Sequence, residues 1–140
     1  MQEISIFLQN HWALSLALIS VAALLFVIEL IRLKTSAQRI TPLQLTQLVN
    51  HKNATVIDTR PTEAFAKGHI VGAISLPVTE LKANIKKMDK YKSKPIVFVC
   101  TRGQESIKIA SDLKSQGFHV HVLGGGMNSW IHAEMPVVKK

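Results

Sequence analysis

Between Ile4 and Ile28 the chain carries no charged side chain, and this stretch limits the possible folds more than any other. Ala13 to Ile28 is apolar apart from Ser15 and Ser20; Glu29 interrupts, and Leu30 and Ile31 follow. At ~1.5 Å of rise per residue, Trp12 to Ile31 is long enough to cross a hydrocarbon core of ~30 Å. A cleaved signal peptide carries basic residues ahead of its apolar run; here they come only after it. A buried core helix is the other alternative, but this segment is apolar on all faces and too long for one. We therefore expect residues 1–34 to form an N-terminal region with one transmembrane helix at about residues 12–31. Trp12 suits one interface, and Glu29 can snorkel or pair with Arg32 at the other.

All 17 lysines and arginines lie from Arg32 onward, with seven of the nine acidic residues, so that part carries about +10 of formal charge. Arg32, Lys34 and Arg39 follow the apolar run closely, and only Glu3 precedes it. The positive-inside rule then puts the amino terminus outside and everything after Arg32 in the cytoplasm. A charge of that size favours anionic partners.

Residues 35–39 read as a short polar linker. Thr41-Pro42 has the form of a helix N-cap with proline at the first helical position. Thr55 to Asp58 is a short buried strand, Glu63 to Lys67 a brief helix ended at Gly68, and Ala73 to Leu76 another strand stopped by Pro77. Thr79 begins a further helix. Lys86 to Lys94 is dominated by lysine, either a solvated face or a contact for anionic lipid near the anchor. His119 to Leu123 is the last strand, with His119 and His121 on one face, and Met127 to His132 a terminal helix. Strands alternating with helices imply an α/β sandwich with a mainly parallel sheet.

The single cysteine sits at a revealing place. Ile96 to Val99 is a continuous apolar run, the mark of a strand buried on both faces. Cys100 follows at its carboxyl end, and Ile107, Ile109, Ala110 and Leu113 then space like a helix. The thiol thus opens a loop between a buried strand and a helix amino terminus. That edge of an open α/β sheet is where ligands bind, and N–H groups at a helix start favour anions and thiolates. A lone cysteine also excludes an internal disulfide framework and fits a reducing compartment.

Three stretches together resemble the rhodanese-like domain, the sulfurtransferase family. Asp58-Thr59-Arg60 through Glu63, Phe65, Gly68-His69-Ile70, Gly72-Ala73 and Pro77 is similar to the family's first signature. Cys100-Thr101-Arg102-Gly103-Gln104-Glu105-Ser106 is similar to its active-site loop, and Leu123 to Trp130 to its closing Gly-Gly and Trp stretch. Residues 40–137 are thereby expected to form a rhodanese-like α/β sandwich. An anchor helix before one such domain also resembles small bacterial inner-membrane members, so the inner membrane is the expected location.

The resemblance implies transfer of sulfane sulfur through a persulfide on Cys100, with Thr101, Arg102, Gly103, Gln104, Glu105 and Ser106 around the substrate. In this reading Arg102 attracts an anionic donor, and Ser106 caps the next helix or bonds the sulfur. Asp58 and Arg60 form a charge pair bracing the neighbouring loop, and His69 is a hydrogen-bonded structural histidine. Expected partners are a small sulfur donor or protein persulfide, a thiol acceptor, the membrane, and a membrane or cytoplasmic protein; no cofactor and no metal is called for. Glu105 stands where many members carry arginine, which opposes thiolate formation and weakens thiosulfate binding. The alternative is a weak or inactive adaptor that recruits partners at the membrane. A phosphatase is disfavoured because the loop lacks a closing arginine, and nucleic-acid binding because aromatic side chains are too few for a stacking platform.

Overall fold

The structure, a computed structural model, describes residues 6–7 and 10–140. It divides into two compact units, Met1–Lys34 and Thr35–Lys140. The first is dominated by helix α1 (Trp12–Thr35). Trp12–Lys34 is long and apolar enough to span a membrane, with a mean hydropathy of 2.7 over its most apolar window and none of that window buried.

The second unit runs β1 (Gln38–Ile40), α2 (Pro42–Lys52), β2 (Thr55–Asp58), α3 (Thr62–Lys67), β3 (His69–Ile70), β4 (Ile74–Ser75) and α4 (Val78–Ala83). A 3-10 helix (Ile85–Tyr91) follows, then β5 (Ile96–Val99), α5 (Glu105–Ser115), β6 (Val120–Leu123), α6 (Gly126–His132) and β7 (Val137–Val138). Five strands form one parallel sheet in the order β1-β6-β5-β2-β4. β5 is its centre, which is why that strand has no polar position. Alternate side chains leave a strand on opposite faces. Ile96 and Phe98 join Ile57, Leu81, Met88, Leu113 and Val122 on one side. Val97 and Val99 join Leu45, Val56, Leu123, Met127 and Trp130 on the other. Helices cover both faces, and the expected sandwich is the observed one.

Local signals set the helix ends. Thr41 caps α2: its Oγ1 accepts the Gln44 N–H, and the Gln44 side chain accepts the Thr41 N–H. At the other end Asn53 adopts a left-handed conformation and donates to the Leu48 carbonyl.

Three readings need correction. Gln38 and Arg39, expected in a linker, form the edge strand β1 with Ile40, paired to His121, Val122 and Leu123. Gln38 and Arg39 are exposed and only Ile40 is buried, so three residues leave no alternation to read. Strand β6 starts at Val120, so exposed His119 lies just before it, its carbonyl accepting the Ile96 N–H at 2.8 Å. A second sheet also exists: β3 pairs antiparallel with β7, Ile70 opposite Val137. Two-residue strands are too short to carry a period.

The carboxyl part of the domain locks onto the Cys100 loop. The Met127 N–H donates to the Cys100 carbonyl at 2.8 Å, and the Asn128 N–H to the Thr101 carbonyl at 3.3 Å. Gly126, at φ +58°, lies so close that a Cβ there would collide with the Cys100 carbonyl oxygen and come within 2.8 Å of the Gly103 nitrogen.

Two stability predictions follow from this packing. Leu45, 1% exposed, loses its cavity-filling atoms in Leu45→Ala, which should cost about 2–5 kcal/mol in denaturant unfolding of the full chain. Gly126→Ala must move backbone rather than a flexible side chain, so it should destabilise by more than the ~1 kcal/mol expected of an unsuitable φ alone. Denaturation midpoints of the two variants in detergent check both.

Candidate functional site

Cys100 follows β5 and is 2% exposed. Its Sγ accepts the Gly103 N–H at 3.0 Å. That bond needs a tight turn, and Gly103 supplies it at φ +81°; a Cβ there would lie 2.8 Å from the Leu123 carbonyl. The N–H groups of Thr101, Arg102 and Gln104 meet no acceptor among the described residues. Those of Glu105 and Ser106 lie in the first turn of α5, where helix geometry leaves donors unpaired. Free donors collected at a helix start make an anion site. A cavity of about 340 Å³ opens over them, lined by Cys100, Thr101, Arg102, Gln104 and Glu105. Arg102 and Glu105 are both exposed at its rim, so one positive and one negative side chain flank the thiol. Glu105, at the first position of α5, is favourably placed against the helix dipole.

Ser106 plays neither expected part. It is fully buried, and α5 has no side-chain cap. Its hydroxyl lies 3.2 Å from Thr59 Oγ1. Thr59 Oγ1 donates its proton to the Val99 carbonyl at 3.1 Å, so Ser106 must be the donor to Thr59. The Thr59 N–H also donates to the Val99 carbonyl. This buried chain ties the exits of β2 and β5 together and fixes the start of α5. Sequence reasoning passed over Thr59. Its signal was a polar residue directly after a buried strand, inside the Asp-x-Arg triplet.

Asp58 and Arg60 meet closely. Arg60 Nη2 donates to Asp58 Oδ2 at 2.7 Å and Nε to Oδ1 at 2.9 Å, while the Arg60 N–H also donates to Oδ1. Arg60 Nη2 reaches on to the Gly68 carbonyl at 2.7 Å. The pair therefore holds the path from β2 through α3 to β3. His69 is buried, its Nδ1 lies 2.9 Å from the Phe65 carbonyl, and its ring stacks on Phe65 at 3.7 Å. A carbonyl only accepts, so Nδ1 carries the proton. Neither Asp58, Arg60 nor His69 lines the Cys100 cavity.

His121 lines a separate cavity with Gln44, His51 and Lys52. Burial lowers its pKa, and the positive charges of Lys114 and Lys52 lower it further, with His119 adding to them. Among the described residues no three His, Cys, Asp or Glu side chains gather as a metal site.

Comparison with known proteins agrees with this geometry. Residues 41–133 match the rhodanese-like domain profile. The chain is 36% identical over 141 residues to the uncharacterised protein YibN of Escherichia coli, covering 99% of both chains. It is 31% identical over 94 residues to the thiosulfate sulfurtransferase GlpE of Coxiella burnetii, covering 66% of this chain and 86% of that one. The crystal structure of a rhodanese-related protein from Thermoplasma volcanium superposes with a TM-score of 0.67 at 26% identity, covering 74% of this chain and 99% of that chain. Strand, cysteine loop and helix start thus sit in a known setting, and the chain belongs to the rhodanese-like domain family.

Proposed function

We propose that the protein is a membrane-anchored sulfurtransferase or persulfide carrier acting through Cys100. The observation that carries this reading is the thiol itself, bonded to the Gly103 N–H at 3.0 Å and lying at the floor of a cavity lined by Thr101, Arg102, Gln104 and Glu105. In the first half-reaction the Cys100 thiolate attacks the outer sulfur of a donor such as thiosulfate. A new S–S bond forms, the old one breaks, and sulfite leaves with the bonding pair. The Cys100 persulfide is an anion and rests among the same donors. In the second half-reaction an acceptor thiolate, or cyanide, attacks the terminal sulfur and takes it away, and Cys100 leaves as thiolate. No second cysteine is present in the chain, so the acceptor comes from outside. Sharing one enzyme-bound intermediate makes the kinetics ping-pong.

Glu105 sets the preference among donors. A carboxylate at the rim repels a dianion such as thiosulfate, and Arg102 only offsets it. A protein persulfide or a neutral polysulfide is the better-matched donor. Helix α1 supports the anchor, and the basic residues Arg32, Lys34 and Arg39 that follow it favour a single pass with the amino terminus outside and the domain in the cytoplasm. By this reading the bacterial inner membrane is the site of action.

A second reading, an adaptor without turnover, is favoured by the near-complete burial of Cys100. It predicts that Cys100→Ser leaves in vivo function and binding partners unchanged.

Two kinetic outcomes test the enzyme. Cys100→Ser should abolish sulfite release from thiosulfate in the presence of a thiol, and initial rates of the unaltered chain should give parallel double-reciprocal lines; turnover surviving in the variant contradicts the mechanism. Glu105→Arg replaces a repelling charge with an attracting one, so KM for thiosulfate should fall about fivefold at low salt, and less at high salt.

A further inference from the structure

The Cys100 cavity is one end of a row. Glu105 is shared with a second hollow of about 230 Å³, which Leu81 and Ile109 floor and Lys82, Ile85 and Lys108 edge. Lys82 and Ile85 are shared in turn with a third hollow of about 260 Å³ that reaches Lys86 and Lys87. The lysine run noted in the sequence therefore starts on a path that leads to the nucleophile. Arg102, Lys82, Lys86, Lys87 and Lys108 are all exposed along it, against the carboxylates of Glu105 and Asp112. Ile85, 38% exposed, gives the middle an apolar contact.

A thiosulfate-sized ion occupies one hollow. It does not touch Lys86 or Lys87 while its sulfur meets Cys100. A ligand that uses all three hollows is extended, acidic, and apolar near its middle. An apolar centre with a charged rim is the ordinary anatomy of a protein interface, and opposite charge steers the encounter. A bilayer surface is flat and offers no sulfur, so it does not account for concavities that end at a thiol.

We propose that the row from Cys100 to Lys87 is a docking groove for an acidic protein segment that delivers a cysteine persulfide to Cys100. This rests on the sulfurtransferase reading above. The Cys100 thiolate attacks the donor's terminal sulfur, the donor's S–S bond breaks, and the donor cysteine leaves as thiolate; no oxidant or reductant is consumed. Glu105 then acts as a selectivity element. It disfavours small free anions, while contacts at Lys82, Lys86 and Lys87 offset its repulsion only for a ligand long enough to reach them.

The test uses the full chain in phosphatidylcholine nanodiscs, with a Lys82→Glu, Lys86→Glu, Lys87→Glu triple variant. All three side chains are exposed, so folding is retained, and circular dichroism verifies it. Three donors are compared: a glutamate-rich peptide and a serine-rich peptide of the same length, each ending in a cysteine persulfide, and inorganic polysulfide. For the acidic peptide kcat/KM should fall about tenfold or more at low salt, and the loss should shrink as salt rises. The uncharged serine-rich peptide should change by less than about twofold, and polysulfide, too small to reach the lysines, by clearly less than the acidic peptide. Equal losses with all donors, or no loss with the acidic peptide, overturn the groove. So does protection of these lysines from acylation by phosphatidylglycerol nanodiscs alone, with none from the peptide, which assigns them to lipid. If no donor loads Cys100 in the unaltered chain, the sulfurtransferase reading fails instead. Fluorescence anisotropy of a cysteine-free glutamate-rich peptide then decides the groove: about tenfold weaker binding by the triple variant retains it, and equal affinity removes it.

Discussion

The Met127 N–H bonds the Cys100 carbonyl, and Gly126 packs against that same carbonyl with no room for a side chain. The path of the Cys100 loop depends on this clasp. It turns the carbonyls of Cys100 and Thr101 toward α6, so the loop does not spend its own N–H groups on them. The N–H groups of Thr101, Arg102 and Gln104 are left without an acceptor among the described residues, and Gly103 already donates to the sulfur. A loop held by its carbonyls, with amides left over, suits the anion that the proposed mechanism places there.

Two further buried polar connections keep that loop in register with the sheet. Thr59 and Ser106 join the exits of β2 and β5 by hydroxyl bonds. Asp58 and Arg60 hold the segment from β2 to Gly68, with the Asp58 side chain 1% and the Arg60 side chain 10% exposed. Removing one partner of a buried ion pair leaves an unpaired charge and costs far more than a surface pair is worth. These groups position the site without touching the sulfur. The hydrophobic layers on either side of β5 supply the bulk of the stability, and the polar links decide which single loop geometry that stability supports.

Much of this could be read from residues alone, for identifiable reasons. β5 announces itself because four consecutive apolar, β-rich residues, too few for a core helix, suit a strand buried on both faces. α2 is bounded by Thr41-Pro42, whose cap chemistry is local. The Cys100 loop stands out because a polar turn follows a buried strand. What escaped reading was set by partners distant in sequence. β1 is a strand because β6 lies beside it, and Gln38 and Arg39 carry no pattern of their own. Ser106 faces Thr59, 47 positions away, so a serine at a helix start looked like a cap. The groove beyond Glu105 depends on α4 and the 3-10 helix meeting α5, and no stretch of sequence contains all three.

Charge divides the roles around the thiol. In the proposed mechanism the N–H cradle favours an anion at the sulfur, Glu105 opposes free anions at the rim, and the lysines farther out favour acidic surfaces. The central claim is that Cys100 accepts and holds sulfane sulfur. Intact-mass spectrometry of the full chain after exposure to polysulfide tests it most directly. The account predicts a gain of one sulfur atom, lost on treatment with a thiol and absent in Cys100→Ser. An unchanged mass with polysulfide, thiosulfate and a persulfide peptide alike would contradict it.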